Sequence, residues 1–271
     1  MANISIVTAF YDIGRGGWTP EKGLPHYLHR TTETYIERFS QLTKLENDIT
    51  VFTTRDLVDQ IKAACHPREN KVKVLVLDVF KEFAEMRERI FEIQKSEQFQ
   101  KRVHPSQNKN PEYWNPDYVL VTNLKPLFPN VAIDNNLVEN DMVAWIDFGY
   151  CRGDSNIPSS KAWNYNFDPE KIHLFNYKDY DGKPIENVVT ENDVYVLGAK
   201  IVAHKNMWPK MQGLMVNSHY GLMKEGLVDD DQGLWLMSAL AEPQHFQMHK
   251  IPDHQLGHDP FVLFNQFNDT L

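Results

Sequence analysis

Four short runs hold residue types whose spacing could do chemistry. In Trp145-Ile146-Asp147-Phe148-Gly149 a carboxylate follows the apolar stretch Met142 to Ile146. An acid delivered at the end of a buried strand can bind a divalent cation and, through it, a diphosphate, because hard cations prefer oxygen ligands and keep positions open for phosphate. It can equally cap the turn that follows. Asp-Phe-Gly also occurs in kinase metal loops, but no GxGxxG loop, VAIK-like lysine or HRD loop lies upstream, and that reading fails. The second run is Asp229-Asp230-Asp231-Gln232, before an apolar stretch. Three adjacent acids repel unless a helix N-terminus stabilises them with exposed N–H groups and partial positive charge. Turned into a cleft, Asp230 or Asp231 is a general base for an acceptor hydroxyl, or binds a sugar hydroxyl. Otherwise Asp229 is a cap with solvated neighbours.

The third run, Asp12 to Trp18, carries Gly14, Gly16 and Gly17 around Arg15. Glycine lets a ligand approach the backbone, and a guanidinium fork suits phosphate oxygens. The loop is not a Walker loop and makes a poor Rossmann fingerprint, so it reads equally as an ordinary surface loop. Lys125 is a further phosphate partner or a solvated lysine. The fourth run holds His245 and His249 at i, i+4 spacing, but it lacks the glutamate of HExxH and follows Pro243. His258, in Gly257-His258-Asp259-Pro260, either completes a metal site begun by Asp147 or is a loop histidine.

These groups need a frame. Ile4–Phe10 reads as a buried strand breaking into the glycine loop, Thr31–Leu45 as a helix, Ile49–Thr53 as a strand, and Asp56–Ala64 as a short helix. Val72–Leu77 follows as a strand and Glu82–Gln100 as one amphipathic helix. After the loop from His104 to Pro116, Tyr118–Val121 reads as strand-like and Lys125–Asn136 as a helix with Pro126 near its start. Met142–Asp147 is a strand, Ile172–Tyr177 a short antiparallel strand, and Val194–Val202 another strand. Met207–Lys224 and Asp231–Leu240 are helices. The alternation predicts an α/β fold with a mostly parallel central sheet, and ligands of such sheets bind at the strands' carboxyl ends.

Composition excludes several function classes. The 271 residues hold 28 basic and 37 acidic side chains, a net charge of −9 that argues against a nucleic-acid binder relying on bulk positive charge. Apolar residues at 42% can fill one large core. Cys65 and Cys151 are the only cysteines, which supports neither a disulfide scaffold nor a CxxC site and fits a reducing cytosol. The N-terminal residues lack the basic and long apolar regions of a signal peptide. No run approaches the roughly 20 apolar residues that span a bilayer, so any membrane contact must be peripheral. Trp145, Trp163, Tyr165 and Trp208 offer flat faces for sugar rings, or fill the core.

The blocks ISIVTAFYDIGRGGW, YIERFSQL, ITVFTT, NPEYWNPDYVLVTNLKPLF, MVAWIDFGYCR and VDDDQGLWL, in this order, resemble the bacterial HtrL/YibB family over nearly the whole chain. That family looks like a branch of the GT-A-fold glycosyltransferases and often lies beside surface-polysaccharide genes. The resemblance implies a single GT-A-like domain over residues 1–271, with a nucleotide-sugar-binding half at 1–150 and an acceptor-binding half at 151–271. It implies a cytoplasmic hexosyltransferase, reaching the inner face of the membrane, that moves sugar from a UDP-hexose to a saccharide or lipid-linked saccharide of lipopolysaccharide or capsule. Carried over by position, Thr8, Ala9, Phe10 and Tyr11 cradle the nucleotide, Arg15 and Lys125 serve the phosphates, and Gln232 joins donor binding. Asp147 stands at a DxD position, with Gly149 where the second acid would be. Manganese or magnesium is the implied cofactor, with Asp147 and His258 as ligands, and Asp230 and Asp231 are the catalytic pair. The rival readings are a non-catalytic nucleotide-sugar or glycan-binding protein and a metal-dependent hydrolase.

Overall fold

β-branched and aromatic runs fix the centre of the molecule, a computed structural model that describes residues 3–65, 71–152, 157, 161–251 and 264. The strands are β1 (Ile4–Phe10), β2 (Ile49–Thr53), β3 (Val72–Val76), β4 (Met142–Ile146), β5 (Ile172–Asn176), β6 (Val196–His204) and β7 (Phe246–Lys250). They form one sheet in the order β3-β2-β1-β4-β6-β5-β7. β1 pairs in parallel with β2 and β4, and β2 with β3. β6 runs antiparallel between β4 and β5, and β5 is parallel to β7. The α/β class with a mostly parallel sheet flanked by helices is thus what the structure shows.

Every residue of β1 is buried, because helices cover both faces of the sheet. Alternation sorts its side chains: Ile4, Ile6 and Phe10 join one apolar cluster, Val7 and Ala9 the other. The helices are α1 (Thr32–Leu42), α2 (Val58–Ala64), α3 (Val79–Glu82), α4 (Ala84–Lys95), α5 (Glu97–Arg102), α6 (Pro116–Asn123), α7 (Leu127–Asp134), α8 (Ile185–Thr190), α9 (Trp208–Lys224) and α10 (Asp231–Ala241). Phe39 and Leu42 of α1 and Ile61 of α2 fill the first cluster. Val119 of α6, Phe128 of α7, Met211 of α9 and Trp235 of α10 fill the second. No helix among the described residues is long and apolar enough to cross a membrane. Cys65 and Cys151 are buried and form no disulfide.

Three local expectations are corrected. Tyr118–Val121 is not strand-like but lies in α6, where Asn115 accepts a hydrogen bond from the Tyr118 N–H and Pro116 opens the first turn. A four-residue apolar run does not distinguish a buried helix from a strand, and the cap decides. Glu82–Gln100 is not one helix. Ser96 adopts an extended backbone and caps α5 by accepting from the Phe99 N–H, which separates α4 from α5. His245 and His249 share no helix face, since Pro243–His245 is a 3-10 turn and His249 lies in β7.

Candidate functional site

β1 and β4 run side by side, so their carboxyl ends deliver Tyr11 and Asp147 to the same rim of the sheet, and the first residues of antiparallel β6, Gly198 among them, lie there too. A cavity of about 510 Å³ opens at this rim, within the range of small-molecule sites. Its lining includes Ala9, Phe10, Tyr11, Arg15, Lys125, Asp147, Asp230, Asp231 and Gln232. Residues chosen for chemistry from five separate parts of the sequence therefore meet in one place. Thr8 does not join them: it is fully buried within β1 and lies outside the wall. His258 and His254 lie outside the described residues.

Lys125 sits in the turn between α6 and α7 and is 6% exposed, not solvated. Its Nζ donates to Asp231 Oδ2 at 2.9 Å and to the Gly198 carbonyl at 2.6 Å, and lies 2.9 Å from Asp147 Oδ1. Burial opposes the ammonium charge, but Asp147 and Asp231 outweigh it and hold the Lys125 pKa above the ordinary lysine value. The Trp145 indole N–H also donates to Asp147 Oδ1, at 2.9 Å, which gives that ring a polar task beside its packing. Of the two readings of Trp163 and Trp208, sugar platform or core, the structure shows the core: both are fully buried. Tyr165 packs against Phe167.

The acidic run divides its labour. Asp230 is the N-cap of α10, accepting from the Gln232 N–H at 3.0 Å, while the Tyr118 hydroxyl donates to its other oxygen at 3.3 Å. Burial pushes Asp230 above the ordinary carboxylate range. Burial does the same to Asp231, against the pull of Lys125. Asp229 turns away from the cavity and rests on Gly233, where a Cβ would meet its Oδ2 at 1.8 Å. Burial and then Asp230 raise Asp229, and Glu112 in the turn before α6 is raised for the same two reasons.

The opposite wall is basic. Arg15 lies on a 3-10 turn after Gly14, whose φ of 78° is left-handed and suits glycine. Asp12 ties this loop to α1 by accepting from the Gly14 N–H and the Thr32 hydroxyl. Arg15 donates to the Leu28 carbonyl and to the Tyr35 hydroxyl at 2.9 Å. Arg30 and Arg152 line the same cavity, and Arg38 stands behind them. Burial, then the like charges of Arg30, Arg152 and Arg15, lower the Arg38 pKa, and its Nη1 is buried without a hydrogen-bond partner. Among the described residues Arg15, Arg30 and Arg38 form no ion pair. Guanidiniums held together without counter-charge are unfavourable unless an anion joins them. The sequence reading found Arg15 alone, because Arg30 lies just before α1 and Arg38 within it, and only the docking of α1 beside β4 brings them to Arg152.

A divalent cation fits this wall poorly. Among the described residues no group of three His, Cys, Asp or Glu side chains is arranged to hold a metal. Asp147 Oδ1 already takes two donors, and the Lys125 ammonium occupies the space in which a cation would join Asp147 to Asp231. Gly149 cannot be traded for a second acid, since a Cβ there would lie 2.6 Å from the Tyr35 ring. The described residues thus do not fit a resident cation.

Comparisons with known proteins agree with the sequence blocks. A family described as "Bacterial protein of unknown function (HtrL_YibB)" matches residues 2–267. Protein HtrL of Escherichia coli (strain K12) is 39% identical over 251 residues, covering 91% of this chain and 87% of that protein. Among solved structures, mouse xyloside xylosyltransferase 1 in its apo form is similar with a TM-score of 0.39 and 11% identity, over 90% of this chain and 84% of that one. With a match across nearly its full length and a relative this similar, the chain belongs to the HtrL/YibB family.

Proposed function

We propose that the protein transfers a sugar from a nucleoside-diphosphate donor to a saccharide hydroxyl. The observation that carries this reading is the uncompensated arginine group, with Arg15 and Arg30 in the wall and Arg38 behind them, across one cavity from the Lys125–Asp147–Asp231 constellation. The arginines suit a diphosphate, which forks of N–H donors bind with two bonds at once. Lys125 holds a positive charge at the cavity floor, where the departing diphosphate would develop negative charge.

In this reaction the acceptor oxygen bonds to the anomeric carbon, and the bond from that carbon to the diphosphate oxygen breaks, its electron pair leaving with the nucleoside diphosphate. The acceptor's proton passes to Asp230, whose carboxylate burial makes more basic than an ordinary one. Asp231, tied to Lys125, is a positioning residue. Donor binding draws on residues 1–150, and Asp147 of that half meets Asp231 of the second half through Lys125. UDP-hexose as donor, a bacterial surface saccharide as acceptor, and the cytoplasm as location are supported by the family resemblance.

The test is calorimetric titration of UDP, GDP and CMP into the wild type, Arg30→Ala and Asp147→Asn, each with EDTA and with manganese. One nucleotide should bind the wild type, and Arg30→Ala should lose about tenfold in affinity, or about 1.4 kcal/mol. No binding by a folded sample overturns the reading. Manganese dependence abolished by Asp147→Asn would return the cation to the site.

A further inference from the structure

Beside the first cavity lies a second of about 330 Å³, and the two share Arg15, Arg30, Tyr118, Asp230 and Gln232 as a common wall. Its own wall is built from Tyr27, Gln107, Asn110, Glu112 and Asn192. The chemistry differs from that of the first cavity. Here the side chains are two neutral amides from Asn residues, one from Gln, a carboxyl and a phenol, all of which both donate and accept or can do so.

The wall is preset. The Gln107 carbonyl oxygen accepts from Asn110 Nδ2 at 2.9 Å, and Asn110 Oδ1 accepts from the Tyr27 hydroxyl at 3.0 Å. Tyr27 is 60% exposed, so its ring face is open to a ligand. Glu112 is 3% exposed, and its Oε1 has no hydrogen-bond partner. Gln94 Nε2 donates to the Glu112 backbone carbonyl at 2.9 Å and fixes the residue in place. A buried carboxyl oxygen left unpaired is costly, and a hydroxyl group from a ligand would satisfy it.

We propose that this side cavity is a saccharide subsite that takes an uncharged sugar ring. The ring lies against Tyr27, with its hydroxyls on Asn110, Gln107 and the Glu112 carboxyl. A phosphorylated ligand is disfavoured on the far wall, where Glu112 stands next to the carboxylates of Asp229 and Asp230. The shared wall then sets the direction of reaction: a hydroxyl of the bound ring reaches Asp230 from one side while the donor's anomeric carbon approaches from the other. The acceptor role rests on the transferase reading, but sugar binding itself does not.

The experiment is saturation-transfer NMR on UDP-saturated protein with methyl glycosides of glucose, galactose and mannose, run on the wild type and on Tyr27→Ala, Gln107→Ala and Glu112→Gln. UDP affinity of each variant is measured in parallel. At least one glycoside should give ring-proton signals on the wild type. Tyr27→Ala should weaken that glycoside about tenfold while UDP affinity stays as in the wild type. Tyr27 is exposed, so this variant keeps the argument testable even if Glu112→Gln fails to fold. The proposal is overturned if no glycoside binds, or if binding survives both Tyr27→Ala and Gln107→Ala unchanged. Absence of binding by UDP, GDP and CMP alike overturns the transferase reading separately, and the same glycoside comparison, repeated without nucleotide, still decides the subsite.

Discussion

Removing a guanidinium from the basic wall has two opposite effects. Arg38 is surrounded by Arg30, Arg152 and Arg15, and its Nη1 is buried without a partner, so in the empty protein its charge is a cost. Arg38→Gln should therefore raise the unfolding free energy by about 0.5 kcal/mol while weakening nucleotide binding about tenfold. Urea denaturation and calorimetry on the same sample check both halves, and a loss of stability would mean that the arginines already share an unseen anion. Lys125 behaves in the opposite way. It is the only cation at 2.9 Å from both Asp147 and Asp231 among the described residues. Lys125→Met would leave Asp231 buried without a counter-charge and should cost about 3–5 kcal/mol. Asp231→Asn in the same chain should recover part of that loss, and failure to recover any would show that the ion pair is not what Lys125 contributes.

At the scale of elements, glycine positions decide how closely α1 and β4 approach. Gly149 lies against Tyr35 of α1, whose hydroxyl accepts from Arg15. Gly149→Ala should push the ring away, release Arg15 and reduce nucleotide affinity about tenfold, with circular dichroism unchanged. Full affinity in that variant would detach Tyr35 from the site. The same contact explains what could be read beforehand and what could not. β1 and β4 were legible because β-branched and apolar runs make buried parallel strands, and Asp147 because a strand end announces itself locally; the cap of α10 was assigned to Asp229, but Asp230 holds it and Asp229 is buried beside it. Tyr118 was misread with the rest of α6, because the Asn115 cap carries the signal and the apolar run does not. Arg30, Arg38 and Glu112 left no local sign, since each gains its role from a neighbour far away in the sequence. Lys125 was picked out, but its burial was not foreseen, because burial of a lysine depends on carboxylates from β4 and α10.

For the whole molecule, two sets of groups shape stability against pH in opposite directions. Asp229 and Glu112 have folded pKa values raised by burial and by Asp230. Their contribution is complete below the ordinary carboxylate range and is lost as pH rises through the raised values. His249 is lowered to about 4 by burial and by His173, and His219 to about 4 by burial. Their neutral forms stabilise fully above the ordinary histidine value of 6.5, and that contribution is lost as pH falls toward about 4. The His173–His249 hydrogen bond of 2.9 Å joins β5 to β7, so the acid limb acts on the sheet edge. Urea midpoints should fall on both sides of a weakly acidic optimum. Asp229→Asn should flatten the alkaline limb alone and His249→Phe the acid limb alone. Identical profiles for wild type and both variants would assign the pH response to other groups.

The ion pair between Lys125 and Asp231 closes a separation of 106 residues. A ribosome must therefore release α10 before Lys125 can acquire its second carboxylate, so a growing chain that has already paired β1, β2 and β4 still lacks a finished cavity floor. Nucleotide affinity should therefore appear late and abruptly during synthesis, after nearly all of the sheet has been made. Arrested chains of increasing length would show this as a single step in ligand retention once residue 231 has cleared the exit tunnel.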